Sequence, residues 1–187
     1  EAMQQELPRA VLKFNPEGYN VDVDTLRSGR IDLFVSAAGQ LGPEIRVQPL
    51  FTTRFVGMAR EDHPIFAQDI RPEQLTRWGH ISISRRGKAN GPIDRALGNL
   101  ALQRHVSLIV ATPYSAMFAL QDTDLLLPLP EHLARSALSS GLRVRLFELP
   151  VPLETVLLTQ AWHPRFQQDA AHRWLRQTIR QLCSEDD

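Results

Sequence analysis

The stretch ISISRRGKANGPIDRAL, Ile81 to Leu97, passes from one kind of secondary structure into another within a single short run. Ile81 and Ile83 alternate with Ser82 and Ser84, which is the period-two pattern of a strand. Pro92 suits the first turn of a helix, where its missing N–H costs nothing. Ile93, Ala96, Leu97 and Leu100 then recur at helical spacing. Between the two patterns stand Arg85, Arg86 and Lys88, with glycines at 87 and 91. A strand running through a basic turn into a helix is a βα unit.

The alternation continues downstream. VSLIVA reads as a second buried strand, TPYS as a turn and AMFALQ as a short helix. TDLLLPLP is a strand with a proline stop, EHLARSAL a helix, and LRVRLFEL an alternating strand. PVPLETVLLTQAW crosses a Pro-rich joint into one more strand, and FQQDAAHRWLRQTIRQL is a closing amphipathic helix. Its apolar face is expected to carry Ala170, Trp174, Leu175, Thr178, Ile179 and Leu182.

Upstream, EAMQQEL is helical in composition, stops at Pro8 and has no N-cap ahead of it, so the helix is expected to begin before Glu1. AVLKF reads as a strand and NPEG as a turn. Asp22 or Asp24 is placed to cap a short helix carrying Leu26 and closed by Gly29. IDLFVSA is a nearly continuous apolar run, expected to be covered on both faces. IRVQPLF and RFVGMA are further strands, split by Thr52 and Thr53; HPIF opens a loop leading to a short helix at RPEQL.

Strands alternating with helices predict an α/β class with parallel sheet. Two joints, near Val56 to Arg60 and near Pro150 to Leu153, mark a chain that leaves one lobe and later returns to it. The expected division is residues 1–56 with 153–187 as lobe one and 57–152 as lobe two, with a ligand cleft between them.

Composition narrows the function classes. The 187 residues balance 21 basic against 21 acidic side chains, whereas a surface that grips nucleic acid shows a basic excess. The single cysteine, Cys183, excludes an intrachain disulfide framework and fits a reducing cytosol. No apolar run approaches the ~20 residues of a bilayer span, and no signal-peptide pattern stands at the start. His63, His80, His105, His132, His163 and His172 are scattered without HExxH or other paired ligand spacing, so no metal is expected; His163 and His172 read as surface or capping groups. Neither GxSxG nor GxxxxGKS occurs, and no cofactor is implied. Asp122 and Asp124 read as turn formers, and Trp162 and Trp174 as packing in the first lobe.

LRSGRIDLFV, AREDHPIF, TDLLLPLPEHLA and LPVPLETVLLTQAWHPRF with AHRWLR, taken in that order and spacing, resemble the effector-binding domain of LysR-type transcriptional regulators. The resemblance covers essentially the whole chain. It implies two Rossmann-like α/β lobes with a central cleft, similar to a type 2 periplasmic binding protein. It also implies a bacterial, cytoplasmic regulator with a winged helix-turn-helix ahead of Glu1, touching DNA only through that other domain. Antiparallel pairing into a homodimer, or a tetramer, is implied too, with no membrane contact. Each half of that contact is expected from a first-lobe helix and from a second-lobe strand and helix, the helix being the one that carries Ile93 and Leu97. The family's first strand and the hydroxyl-bearing turn after it have no counterpart in this sequence.

Candidate effector residues follow from both readings. Ser84, Arg85, Arg86 and Gly87 stand where a strand ends and a helix will begin; backbone N–H groups and guanidinium there suit a carboxylate. The same residues also read as a solvated basic loop. Thr112 and Pro113 follow the next strand and lie beside Ser84 if the two strands are neighbours. Ser36 ends IDLFVS, Asn15 and Glu17 follow AVLKF, and Thr155 lies just past the return joint; each reads equally as an ordinary turn or strand residue. The expected function is sensing of a small anionic effector, without catalysis. The alternative is a periplasmic solute-binding protein of similar plan, carrying a signal peptide and acting as a monomer. An enzyme on a related scaffold would need a nucleophile or acid–base pair, and none assembles here.

Overall fold

The strand Phe55–Arg60 (β3) is the most buried among the described residues, because two strands flank it and helices cover both its faces. The computed structural model describes residues 6, 10–14, 23–39, 41–84 and 90–185. They divide into two compact units: Glu1–Thr52 with Val156–Asp187, and Thr53–Thr155.

In the second unit β3 pairs antiparallel with Leu127–Pro130 (β6) and with Val144–Phe147 (β7), with Met58 opposite Leu127 and Gly57 opposite Phe147. Gly79–Ile83 (β4) pairs in parallel with His105–Val110 (β5). A parallel bridge between His80 and Leu126 joins the two ladders: Ile81 N–H donates to Leu126 C=O, and Leu126 N–H to Gly79 C=O, each at 2.9 Å. The strands therefore run β5-β4-β6-β3-β7. Four of them, β5, β4, β6 and β7, run in one direction, and β3 alone runs against them.

Alternation along β3 sends side chains to two cores. Val56 and Met58 meet Ala116, Met117 and Leu120 of the helix Pro113–Leu120, and Ala134 and Ala137 of Glu131–Ser139. Ala59 faces Leu75 of Pro72–Leu75, and Ile93 and Leu97 of Pro92–Gly98. In chain order, counting Val23–Arg27 as α1, these helices are α2 (72–75), α3 (92–98), α4 (113–120) and α5 (131–139). Gly57 is required where it stands, since a Cβ there would lie 2.2 Å from the Phe147 ring.

In the first unit, Val156–Trp162 (β8) lies between Phe34–Ala37 (β1) and Arg46–Thr53 (β2), and β1 runs antiparallel to β8. Leu26 of α1, wholly buried, packs with Ile45 and Ala161; Gly29 closes that helix at φ +75°. The closing helix Ala170–Glu185 (α6) meets β8 through Gln160, whose amide donates to Arg176 C=O at 3.1 Å.

Several expectations are corrected. The parallel sheet of the second unit is interrupted by β3, and β1 runs antiparallel to β8, because local βα alternation does not say which way a returning strand runs. AVLKF forms no strand among the described residues, and Val11 and Phe14 are largely exposed. IDLFVSA is not covered on both faces: Val35 is half exposed. VSLIVA is an edge strand that alternates exposed and half-buried positions rather than a buried one. The break between β2 and β3 falls at Arg54, not at Thr52 and Thr53. TPYS is not a turn; Thr112 caps α4, which starts at Pro113. Ile93 and Leu97 are core residues and are not available to a partner.

On α6 the fully buried positions are His172 and Arg176; of the expected apolar face Trp174, Leu175, Thr178 and Ile179 are half-buried, while Ala170 and Leu182 are exposed. His172 is therefore buried rather than a surface group. Its Nε2 donates to Asp32 C=O at 2.8 Å, and its ring stacks on Phe166 at 4.9 Å. Its Nδ1 accepts from Arg176, whose guanidinium lies 4.3 Å from the Trp162 ring and donates to Phe166 C=O.

Candidate functional site

Ser84 follows the last residue of β4, and its N–H donates to Val110 C=O, the last residue of β5, at 2.8 Å. The carboxyl ends of the two parallel strands are thus tied side by side. Thr112 stands two residues beyond that carbonyl. Its Oγ accepts from Ser115 N–H at 3.2 Å and lies 2.8 Å from Ser115 Oγ. Pro113 occupies the first helical position, so Tyr114 N–H in the first turn of α4 has no intrahelical acceptor. Ser84, Thr112 and Pro113 are all half-buried.

This edge is also where the sheet order reverses. From β4 the chain goes through α3 to β5 on one side, then through α4 to β6 on the other. Open α/β sheets bind ligands at the carboxyl ends of strands at such a switch point. The groups present there are hydroxyls, a helix-terminal N–H and the positive end of the α4 dipole, all suited to an anionic oxygen.

The remaining candidates fall elsewhere. Ser36 is half-buried in β1, where its Oγ donates to Ala37 C=O at 3.0 Å and its C=O accepts from Thr159. Thr155 is exposed and closes the second unit. Asn15, Glu17, Arg85, Arg86 and Gly87 lie outside the described residues.

A polar network at the start of β5 was not legible in the sequence. Gly91 precedes α3, and its N–H donates to Asp94 Oδ2 at 2.5 Å, so a carboxylate at the third helical position reaches back to the helix start. Arg104 grips the same carboxylate with two bonds, Nε to Oδ1 at 2.8 Å and Nη2 to Oδ2 at 2.9 Å. Burial by itself would raise the Asp94 carboxyl, but Arg104 and the Gly91 N–H outweigh it and hold it below the usual carboxylate range. His80, wholly buried, donates from Nε2 to Leu75 C=O at 2.7 Å, and its Nδ1 faces Arg104 at 3.5 Å. Burial, with the Arg104 charge adding to it, pushes this imidazole down to about 4. The G-P-x-D run at 91–94 is a readable signal for Asp94; nothing in the sequence pairs it with Arg104.

A depression of about 530 Å³ lies at the other end of the sheet, lined by Arg60, Asp62, Asp124 and Arg143 among others. Its charges compensate one another: Arg60 pairs with both Asp62 and Asp124. Among the described residues no cluster of side chains is suited to hold a metal ion, and no helix is long and apolar enough to cross a membrane.

A family profile described as the LysR substrate binding domain matches residues 1–184. The HTH-type transcriptional activator NahR of Pseudomonas putida is 25% identical over 186 residues, covering 99% of this chain and 61% of NahR. The chain therefore spans about three fifths of that relative. The regulatory domain of MexT, a transcriptional activator in Pseudomonas aeruginosa, superposes with a TM-score of 0.83 at 23% identity, covering 96% of this chain and 88% of that one. The effector-binding domain of QuiR, solved with shikimate, superposes with a TM-score of 0.65 at 16% identity, covering 87% and 77%. These neighbours share the two-lobe, type 2 periplasmic-binding-protein-like α/β fold. The curated relatives are named as regulators and activators, not as enzymes.

Proposed function

This chain belongs to the LysR substrate-binding domain family, whose profile it matches over residues 1–184, and from that premise we propose that it is the effector-sensing domain of a bacterial LysR-type transcriptional regulator. The effector is a small anion, taken in part at the carboxyl ends of β4 and β5. The observation that supports this reading is the Ser84–Val110 backbone bond, which ties Ser84 to the end of β5, two residues before the Thr112 cap of α4. Arg85 or Arg86 supplies a guanidinium to the same anion. The shikimate bound by QuiR is a small carboxylate of the kind such donors recognise.

Effector binding works here by differential affinity for two arrangements of the domain, which biases the attached DNA-binding heads. The working assembly is a cytoplasmic homodimer or tetramer, and DNA is touched through a helix-turn-helix outside this chain. Regulatory names among the relatives favour this reading over a periplasmic solute-binding protein.

A thermal-shift screen of small carboxylates, shikimate included, tests it. A ligand at a hundredfold its dissociation constant stabilises the folded state by about 2.7 kcal/mol. At roughly 2–4 °C per kcal/mol for a chain of this size, the melting temperature rises by about 5–11 °C. Arg85→Ala and Arg86→Ala, made singly, leave the fold intact, and one of them removes most of the rise. Full response in both variants would show that these arginines sit in a solvated turn.

A further inference from the structure

We infer that Arg54 is a strap between the two connections that join the units: its guanidinium ties the outgoing strand to the point where the returning segment leaves the second sheet. The chain crosses between the units twice, at Thr52–Thr53 and at Thr155–Val156. Arg54 is the second residue after the first crossing and stands just ahead of β3. Its Nε donates to Glu131 Oε2 at 2.6 Å, and its Nη1 donates to Glu148 Oε2. Glu131 follows the last residue of β6, and Glu148 follows the last residue of β7. Because β3 runs against both neighbours, its start lies near their ends. One guanidinium therefore spans three strands at the end of the ladder where the chain enters. The arginine fork, with donors on separate nitrogens, lets one side chain hold two carboxylates from different elements.

The two halves of the strap differ in strength. On the outgoing side, Glu131 N–H also donates to Arg54 C=O at 2.8 Å, Phe55 pairs with Pro130, and His132 Nδ1 lies 3.2 Å from Thr53 Oγ. Glu131 is further held by Arg135, and its side chain is 16% exposed. On the returning side the link is an ion pair to Glu148, whose side chain is 73% exposed. Beyond Glu148, Leu149, Val151 and Leu153 pack on the core that holds Phe147 and Leu97. The returning segment is thus seated on the second unit as far as Leu153, and Arg54 is joined to the residue where that segment begins. Exposed ion pairs add little to global stability, so the strap acts on local motion. Hinge movements are absorbed by a few residues at element ends. Arg54 makes the residues of one connection open together with those of the other. The exposed half is screened by salt, which makes the coupling sensitive to ionic strength. The strap stands whether or not the effector reading does.

The test uses the full chain with Arg54→Ala, Arg54→Lys, Glu148→Ala and the Arg54→Ala/Glu148→Ala pair. Amide hydrogen exchange is followed at Glu131, which reports the outgoing connection, and at Leu149, Val151 and Leu153, which report the returning one. All variants are expected to melt within a few degrees of the parent. Glu148→Ala, a change on the returning side, is expected to speed exchange at Glu131 by roughly tenfold, and Arg54→Ala to do the same at Val151. The double variant should exchange no faster than Arg54→Ala, since the two groups act through one bond. Arg54→Lys, with one ammonium for two carboxylates, should fall between parent and alanine. At about 1 M salt the parent should approach Glu148→Ala, because the screening length drops to about 3 Å. If Arg54→Ala does not fold, Glu148→Ala and the salt series carry the same comparison. Exchange at Glu131 that Glu148→Ala and salt leave unchanged would show that the two connections open independently, and would overturn the inference.

Discussion

His80 Nδ1 faces the Arg104 guanidinium at 3.5 Å while its Nε2 donates to Leu75 C=O, inside a wholly buried site. A second positive charge there is strongly disfavoured, and the imidazole is pushed from 6.5 to about 4. The unfolded chain protonates His80 near 6.5, above the folded value. Stability from the neutral ring is therefore complete above that pH and lost as pH falls towards about 4. The loss is on the order of 3 kcal/mol. His63 and His132, also lowered by burial, add in the same direction. Urea unfolding between pH 4 and 8 checks this, and His80→Gln should flatten part of the fall. A flat profile in the parent protein would refute it.

Gly57 lies under the Phe147 ring, which also meets Phe66 edge-on at 5.9 Å. Gly57→Ala must displace that ring from a packed core, at a cost of about 1–3 kcal/mol. The measurement is the denaturant midpoint at constant m-value. An unchanged midpoint would mean that Phe147 has room to move.

Ala101 is the only non-glycine residue with positive φ among the described residues, and it closes α3 in the position where glycine is normally found. Ala101→Gly relieves the Cβ strain and should raise stability by roughly 0.5–1 kcal/mol, net of the added freedom of the unfolded chain. Calorimetry should show a melting temperature higher by about 1–4 °C; a fall would place the strain elsewhere.

Thr112 caps α4 and faces the proposed anion site. Thr112→Ser keeps the cap and should keep the carboxylate response. Thr112→Val loses the cap, at about 1 kcal/mol, and should also weaken any carboxylate found in the screen by tenfold or more. A stability loss without an affinity loss would leave Thr112 with a capping role alone.

Apolar side chains remain exposed on the second unit: Ile109 on β5, Tyr114 and Phe118 four residues apart on α4, and Leu100 after α3. The homodimer we propose buries part of this surface. Light scattering at high concentration should give twice the monomer mass, with Phe118→Glu or Ile109→Glu shifting it towards monomer. A monomer at all concentrations would count against the assembly.

The run from Ile81 to Leu97 shows how far local chemistry reaches. Alternation at Ile81 and Ile83, Pro92 at a first turn and the spacing of Ile93, Ala96 and Leu97 are properties of neighbouring residues, so strand and helix were both readable and both formed. The order of family-like segments likewise carried the LysR relationship. Direction and pairing were not readable. β3 runs antiparallel to β6 and β7, and β8 to β1, because of where the chain returns, and no residue within a strand encodes that. AVLKF has strand composition, yet a strand is defined by its partner, and among the described residues it has none. His172 reads in the sequence as a surface or capping group; the Asp32 carbonyl, the Phe166 ring and Arg176, itself held by the Phe166 and Gln167 carbonyls and the Trp162 face, accommodate it inside. Asp94 and Arg104 are ten residues apart, a separation with no meaning on a helix or a strand, and only the turn of the chain after Gly98 brings them into contact. The sequence by itself determined the elements and the family, because those depend on near neighbours and on order. The tertiary structure decided strand direction, burial of charge and the frame around Ser84 and Thr112, because those depend on groups that meet only when the chain folds back on itself.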